Sequence, residues 1–147
     1  SKEDGEEMKT ISESVIAWLK TFNPKEYWKM KRIETGVLPA DVDSYALVKE
    51  PIVNKKTSIS GKVTATEHYT LHARLASQNN TDRIDNGAFG ELLESWVYEQ
   101  NEARNYPTIE SGKVKKMDVT TPFYVGKTET NNSVYQLTLS ITYVKEK

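Results

Sequence analysis

The sequence contains no cysteine, and this absence removes several classes of protein at once. Without thiols there are no disulfide bonds, no thiolate-ligated zinc and no thiol catalysis. No apolar run approaches the roughly 20 residues that a membrane-spanning helix needs. An excess of one charge is also missing, with 20 Lys and Arg against 21 Asp and Glu. This balance argues against a dedicated binder of DNA or another polyanion.

What is present suits one globular domain over residues 1–147. The 147 residues include three Trp, eight Tyr and three Phe, enough large apolar surface for a real core. The first residues are acidic and polar, unlike a secretory signal, so we expect synthesis in the cytoplasm. We expect residues 1–7 to be disordered.

Two stretches show helical periodicity. Apolar residues of the first stretch recur every three or four positions, which predicts an amphipathic helix of about four turns: Met8, Ile11, Val15, Trp18, Leu19 and Phe22. Asn23-Pro24 is expected to end it.

The second helix follows the loop SQNNTD, and Thr81 or Asp82 is its expected N-cap. Its apolar face consists of Phe89, Leu92, Leu93, Trp96 and Val97. Gly87 and Gly90 interrupt this helix, and we expect them to allow close approach to a strand.

Four segments are expected to be strands: 44–48, 62–75, 114–125 and 135–143. The third contains TTPF, which indicates a bulge or an edge position. Residues 25–43 are interpreted as a connecting segment, 50–61 as a mobile loop with a basic tip, and 126–133 as a hairpin loop. The fold class is therefore α+β, in which two main helices pack on one face of an antiparallel sheet, in the order α-β-β-α-β-β.

The strand at 62–75 has a polar face that carries His68, Thr70 and His72. The two histidines lie four positions apart, whereas strand ligands of one metal are normally two apart. No cysteine or third histidine is available to complete a zinc site. We therefore expect no metal here and interpret this face as a possible subunit interface.

The chain offers no recognisable catalytic motif. No serine stands in a Gly-x-Ser-x-Gly turn, and no glycine-rich loop precedes a helix to hold phosphate. We expect no enzymatic activity, no catalytic residues and no cofactor. The alternative is a small-ligand-binding module or minor enzyme on a curved α+β sheet, with His68, His72 and Arg74 lining a cavity.

The junction between the second strand and the second helix is rich in charged and amide residues. We expect Arg74 and Arg83 to pair with Asp82 and Asp85 at the helix start, where the helix dipole favours negative charge. Asn86 is expected to bind nearby backbone. Separate basic clusters are interpreted as solvated surface, or as the lining of a channel if copies form a ring: Lys55, Lys56, Lys113, Lys115 and Lys116.

The order of several residues along the chain resembles the order found in a known protein family. The chain has an early WL helix, a strand ending in Arg74, then Arg83 and Asn86, then an aromatic-rich helix with Trp96, then Pro107, and finally VYQLTLSITY. This order resembles the minor capsid and tail terminator proteins of long-tailed bacteriophages and of prophages in Gram-positive bacteria. The resemblance extends over residues 8–144.

This resemblance implies a fold like that of the phage lambda tail terminator. It implies a homo-hexameric ring in the virion that caps the tail tube and permits head attachment, leaving a path for DNA without sequence-specific recognition. The implied partners are further copies of the chain, the tail tube protein and the head completion or connector proteins, with no membrane. The residues assigned to scaffold or assembly roles are Arg74, Arg83, Asp85, Asn86, Trp96, Pro107 and Tyr135.

Overall fold

A computed structural model describes residues 9–24 and 29–145 as an α+β protein with one five-stranded mixed sheet and two helices. The elements in chain order are α1 (Ile11–Leu19), β1 (Glu34–Thr35), β2 (Ser44–Thr57), β3 (Val63–Ala76), α2 (Asn80–Ala103), β4 (Gly112–Thr128) and β5 (Asn132–Lys145). The expected disorder of residues 1–7 and the place of Met8 lie outside the described residues.

The strands are ordered β1-β2-β3-β5-β4 across the sheet. β1 pairs with β2 in parallel, and all other neighbours are antiparallel. The two-residue β1 lies inside the segment predicted to be a connection, so the observed order is α-β-β-β-α-β-β. Because β1 pairs only with Ala46 and Leu47, the rest of β2 forms an edge of the sheet.

The first helix is shorter than its apolar periodicity predicts. Thr10 is the N-cap, and its side chain accepts from the backbone N–H of Glu13, whose carboxylate accepts in return from the Thr10 backbone. This capping box sets the start of α1 at Ile11. Phe22 lies beyond the end of the helix and is nevertheless buried.

The predicted loop over residues 50–61 is wrong over most of its length. β2 continues to Thr57, because Val53–Thr57 pair with Val63–Glu67 of β3. A bulge between Lys49 and Val53 contains Pro51, which has no N–H to donate to a ladder. Only residues 58–62 remain as the turn.

The second hairpin is longer than predicted, because β4 extends to Thr128 and β5 begins at Asn132. Its turn is therefore 129–131 and not 126–133. The irregularity expected at TTPF is confirmed, since the β4–β5 register shifts between Val119 and Thr121 and again before Tyr124. β4 is also an edge strand of the sheet.

The N-cap predicted for α2 is wrong. Asn79 is the N-cap, with an extended backbone and a side-chain oxygen that accepts from the N–H of Asp82 at 2.9 Å. Asp82 is the third helical residue, and its carboxylate accepts from the N–H of Gln78. The sequence offers several capping residues in a row, and the backbone conformation selects the earliest.

The core lies between the helices and one face of the sheet. β3 alternates in burial as its period of two predicts, with Tyr69, Leu71 and Ala73 turned to the core. Aromatic rings link the layers: Trp18 lies 4.6 Å from Trp96 between centroids, and Phe22 lies 5.4 Å from Trp96. Both helices thus join the same hydrophobic cluster.

The two glycines of α2 have different surroundings. At Gly90 a Cβ would overlap the ring and Cβ of Phe123 on β4, so the expected close approach to a strand is confirmed there. At Gly87 a Cβ would meet nothing within 4 Å. Only Gly90 is therefore required by packing.

Candidate functional site

Arg74 ties the end of β3 to two loops. Its Nε donates to the carbonyl oxygen of Pro39 at 3.0 Å, and its Nη1 donates to Glu129 at 3.1 Å and to Asn132 Oδ1 at 3.0 Å. Glu129 lies in the β4–β5 turn, so the pairing predicted with Asp82 and Asp85 is wrong for Arg74. The polar face of β3 turns this side chain away from the helix start and towards the neighbouring β5.

Arg83 also has a partner other than the predicted aspartates. Its Nη1 donates to the carbonyl oxygen of Ser77 at 3.1 Å, which links the first turn of α2 to the preceding loop. Asp85 is exposed and, with Asp43 and Asp82, lines a pocket of about 230 Å³. Arg83 and Asp82 therefore hold the joint through backbone groups of the preceding loop.

Asn86 is the central residue of this joint. It is buried, and its amide donates to the carbonyl oxygen of Ala76 at 2.8 Å and to the Tyr135 hydroxyl at 3.2 Å. The expected contact of Asn86 with nearby backbone is thus confirmed. Through this one side chain α2 is connected to β3 and β5.

Trp96 and Pro107 lie where the helices meet the loop after α2. The Trp96 ring packs on α1, and the neighbouring Trp18 donates from its indole nitrogen to the carbonyl oxygen of Asn105 at 2.8 Å. Pro107 is buried beside Tyr106 in the same loop. These residues position the C-terminal end of α2.

The face of the sheet away from the helices carries a network of hydroxyl groups. Thr70 donates to Glu50 at 2.5 Å and lies 3.1 Å from the Thr138 hydroxyl, while Thr66 lies 3.0 Å from the Thr142 hydroxyl. These pairs cross from β2 through β3 to β5. They make this face polar, as its sequence pattern indicates.

The two histidines of this face do not share the pocket that the described residues form around His68. His68 lines a shallow pocket of about 380 Å³ together with Glu50, Thr70 and Thr138, and neither His72 nor Arg74 lines it. Burial lowers the pKa of His72 against the opposing effect of Glu50, so this imidazole is neutral at pH 7. Among the described residues, no group of His, Asp and Glu is arranged to hold a metal ion.

A buried carboxylate on the core face was not assigned a role by the sequence pattern. Glu67 is 6% exposed and accepts from the hydroxyls of Tyr69 at 2.8 Å and Tyr143 at 2.7 Å. Lys49 Nζ lies 3.6 Å from the same carboxylate. The signal in the sequence was a glutamate on an apolar strand face with a tyrosine two positions later.

These contacts determine the charge of Glu67. Burial acts to raise the pKa of its carboxyl, but the hydrogen bonds from Tyr143 and Tyr69 and the Lys49 ammonium together hold this pKa below its usual value. Burial and the bond to Glu67 raise the pKa of both tyrosine hydroxyls. Glu67 is therefore an anion and both tyrosines are neutral donors at pH 7.

A basic cleft of about 960 Å³ lies where α2 passes into β4. Its lining includes the cations Arg104, Lys113, Lys115 and Lys116, together with Asn101 and Asn105. Arg104 closes the helix in the left-handed region, with φ of 58°. The three lysines of one predicted basic cluster are thus brought together, and Lys116 is paired with Asp118 at 3.2 Å.

The outer part of β2 and its turn form the most exposed segment of the described fold. All residues from 51 to 62 are exposed, and we call this segment the exposed edge. It carries Ile52, which is 65% exposed, and Ile59, which is fully exposed. Lys55 and Lys56 lie on the same segment. The predicted basic tip is therefore part of a strand that displays large apolar residues.

Comparison with known proteins gives no family to which the chain can be assigned. No protein-family model matches it, and no curated protein is significantly similar to it in sequence. Within the described residues, neither helix has the length and apolar character needed to cross a membrane.

Proposed function

We propose that this protein is a structural component of a bacteriophage or prophage virion at the head–tail junction. It acts as a tail terminator, in which copies of the chain form a ring, with six as the expected number, that caps the tail tube and permits head attachment. The fold proposed is of the lambda terminator type. The support from sequence is the order of Arg74, Arg83, Asn86 and Trp96 before the last strand.

The observation that carries the proposal is the exposed edge. An unpaired strand edge is a template for association with another chain, and Ile52 and Ile59 place apolar surface on it. Pro51, the bulge and two lysines limit indiscriminate strand pairing there. A segment that is exposed and protected in this way suits a specific protein contact.

The other candidate residues also fit an assembly protein. Asn86 connects α2 to β3 and β5, so it fixes the angle between the sheet and this helix. Arg74 instead holds the loop at Pro39 and the β4–β5 turn to the end of β3. The hydroxyl network beside His68 offers polar contacts to a neighbouring surface.

The proposal is tested with tail tubes polymerised from the tube protein of the same phage or prophage. A terminator added to growing tubes stops their elongation at amounts far below one copy per tube subunit, because it binds only the ends. Light scattering follows this arrest. Tubes that elongate at an unchanged rate in a tenfold excess of folded protein over tube ends contradict the proposal.

A further inference from the structure

Charge is unevenly divided between two exposed surfaces, although the whole chain carries a net charge of only −1. The exposed edge contains three lysines and no acidic residue: Lys55, Lys56 and Lys62. α2 contains one arginine and six acidic residues: Asp82, Asp85, Glu91, Glu94, Glu99 and Glu102. The two segments therefore have opposite electrostatic character.

The acidic residues of α2 are interspersed with exposed apolar side chains. Ile84, Leu92 and Tyr98 are exposed, and Tyr98 is 66% exposed. We call the following set the outer face of α2: Ile84, Glu91, Leu92, Tyr98, Glu99 and Glu102. From Ile84 to Glu102 it covers about 27 Å at the helical rise of 1.5 Å per residue.

The exposed edge has the same mixture with the opposite charge. Lys55 and Lys56 are neighbours on a strand, so they point to opposite sides of the ribbon and flank its free edge. Ile52 and Ile59 add apolar area at either end of this segment. An acidic surface with apolar residues is the natural complement of such an edge.

Within the part of the chain that the structure describes, the charges on both surfaces are unpaired. Among residues 9–24 and 29–145, none of Lys55, Lys56 and Lys62 forms an ion pair, and neither does Glu91, Glu99 or Glu102. Both surfaces therefore keep their charges for an external contact.

We propose that the exposed edge of one copy docks on the outer face of α2 of the next copy. The proposal deepens the ring assembly proposed above and rests on it, since it names the contact between neighbouring subunits. Because the two surfaces differ, the contact is head-to-tail, and such contacts close into a ring when the rotation between copies permits. Each copy then supplies one basic and one acidic surface, which matches the near-neutral chain.

Charge reversal tests the contact directly. Lys55→Glu with Lys56→Glu makes the edge acidic, and Glu99→Lys with Glu102→Lys makes the helix face basic. Each double variant is expected to self-associate about tenfold or more weakly than the wild type in sedimentation equilibrium. Increasing salt weakens the wild-type association in the same measurement.

Mixing the two double variants gives the sharpest result. The acidic edge of one variant then meets the basic helix of the other, and the basic edge of the second meets the acidic helix of the first. An equimolar mixture is therefore expected to recover association in an alternating ring. The control is Lys113→Glu with Lys115→Glu, which makes the same charge change outside both surfaces and is expected to keep the wild-type association.

The absence of cysteine allows an independent measurement on the same contact. Lys56→Cys in one chain and Glu99→Cys in another are expected to form a disulfide between copies under mild oxidation, even when the association is weak. The pair Lys56→Cys with Lys113→Cys is the matched control and is expected to cross-link at background level. Circular dichroism verifies that each variant is folded.

Three results would overturn the inference: edge reversal that leaves self-association unchanged, no recovery in the mixture, or cross-linking between the Lys56→Cys and Glu99→Cys chains no greater than in the control pair. The function is judged separately. If the protein associates through this contact but does not arrest tail tubes, the inferred contact stands and the proposed function is wrong. If the protein arrests tail tubes but its copies are joined through other surfaces, the proposed function stands and the inferred contact is wrong.

Discussion

The Glu67 carboxylate is a charged group in the core of the sheet, and its three partners make its burial favourable. Tyr69 lies two positions along β3 and is visible in the sequence pattern. Tyr143 comes from β5, 76 residues away, and is brought in by the β3–β5 register. The sequence therefore shows an anomaly at Glu67, while its explanation needs the paired strand.

Glu67→Gln is expected to lower the free energy of unfolding by about 1–3 kcal/mol at pH 7, because an amide cannot accept from both tyrosines with equal strength. The pKa of Glu67 is lower in the folded chain than in the unfolded one. Its contribution is thus fully present above the unfolded value of about 4.3 and is lost as pH falls through the folded value.

The difference between wild type and variant should consequently shrink below about pH 4, as measured by urea unfolding at several pH values. Glu110→Gln, at an exposed position before β4, is the matched control and should change stability little. Equal stability of wild type and Glu67→Gln at pH 7 would contradict the assigned network.

Gly90 and Gly87 form a second pair for a direct comparison. Gly90→Ala should destabilise the protein by about 1–3 kcal/mol, because the added methyl group overlaps Phe123 of β4 close to its backbone. Gly87→Ala should be neutral or stabilise by up to about 1 kcal/mol, since alanine favours the helix and has open space there. Thermal unfolding distinguishes the two, and a stabilising Gly90→Ala would refute the close approach.

Between elements, the joint from β3 to α2 depends on amide and backbone contacts more than on ion pairs. The sequence indicated that this stretch was a joint and that Asn86 would contact backbone. It did not indicate that Arg74 would bind Pro39 and Glu129, because those partners come from distant loops. Residue type predicts which contacts are possible, and the sheet register selects among them.

Asn86→Ala should lower the free energy of unfolding by about 1–3 kcal/mol, because it leaves the partly buried carbonyl oxygen of Ala76 without this donor. Loosening of the joint should also accelerate hydrogen exchange at the start of α2 relative to the core strands. The exposed Asn80→Ala serves as control. Exchange rates that rise equally throughout the sheet would instead indicate a global effect without a local joint.

The strands show which parts of the sheet the alternation of apolar and polar residues could predict. The alternation of β3 and β5 was clear because one face of each is buried along its length. The outer half of β2 is exposed on both sides, so no alternation marked it as a strand, and its pairing with β3 supplies the order. Apolar periodicity misses a strand such as this, which buries neither of its faces in the described fold.

At the scale of the whole molecule, the basic exposed edge and the acidic outer face of α2 give the proposed ring two surfaces of opposite charge that attract each other. Neither composition nor net charge showed this separation, because the two surfaces cancel in the total. The α+β class was predictable from the order of patterns along the chain. The surfaces that would meet in a ring required the exposure of each side chain.

The most direct test of the central claim is electron microscopy of tail tubes mixed with the protein. We expect one ring of six copies at a tube end and none along the tube wall. Lys55→Glu/Lys56→Glu should form no rings, and Lys113→Glu/Lys115→Glu should form them as the wild type does. Tube ends that stay bare in the presence of folded wild-type protein, at a large molar excess of protein over tube ends, would contradict the proposed function.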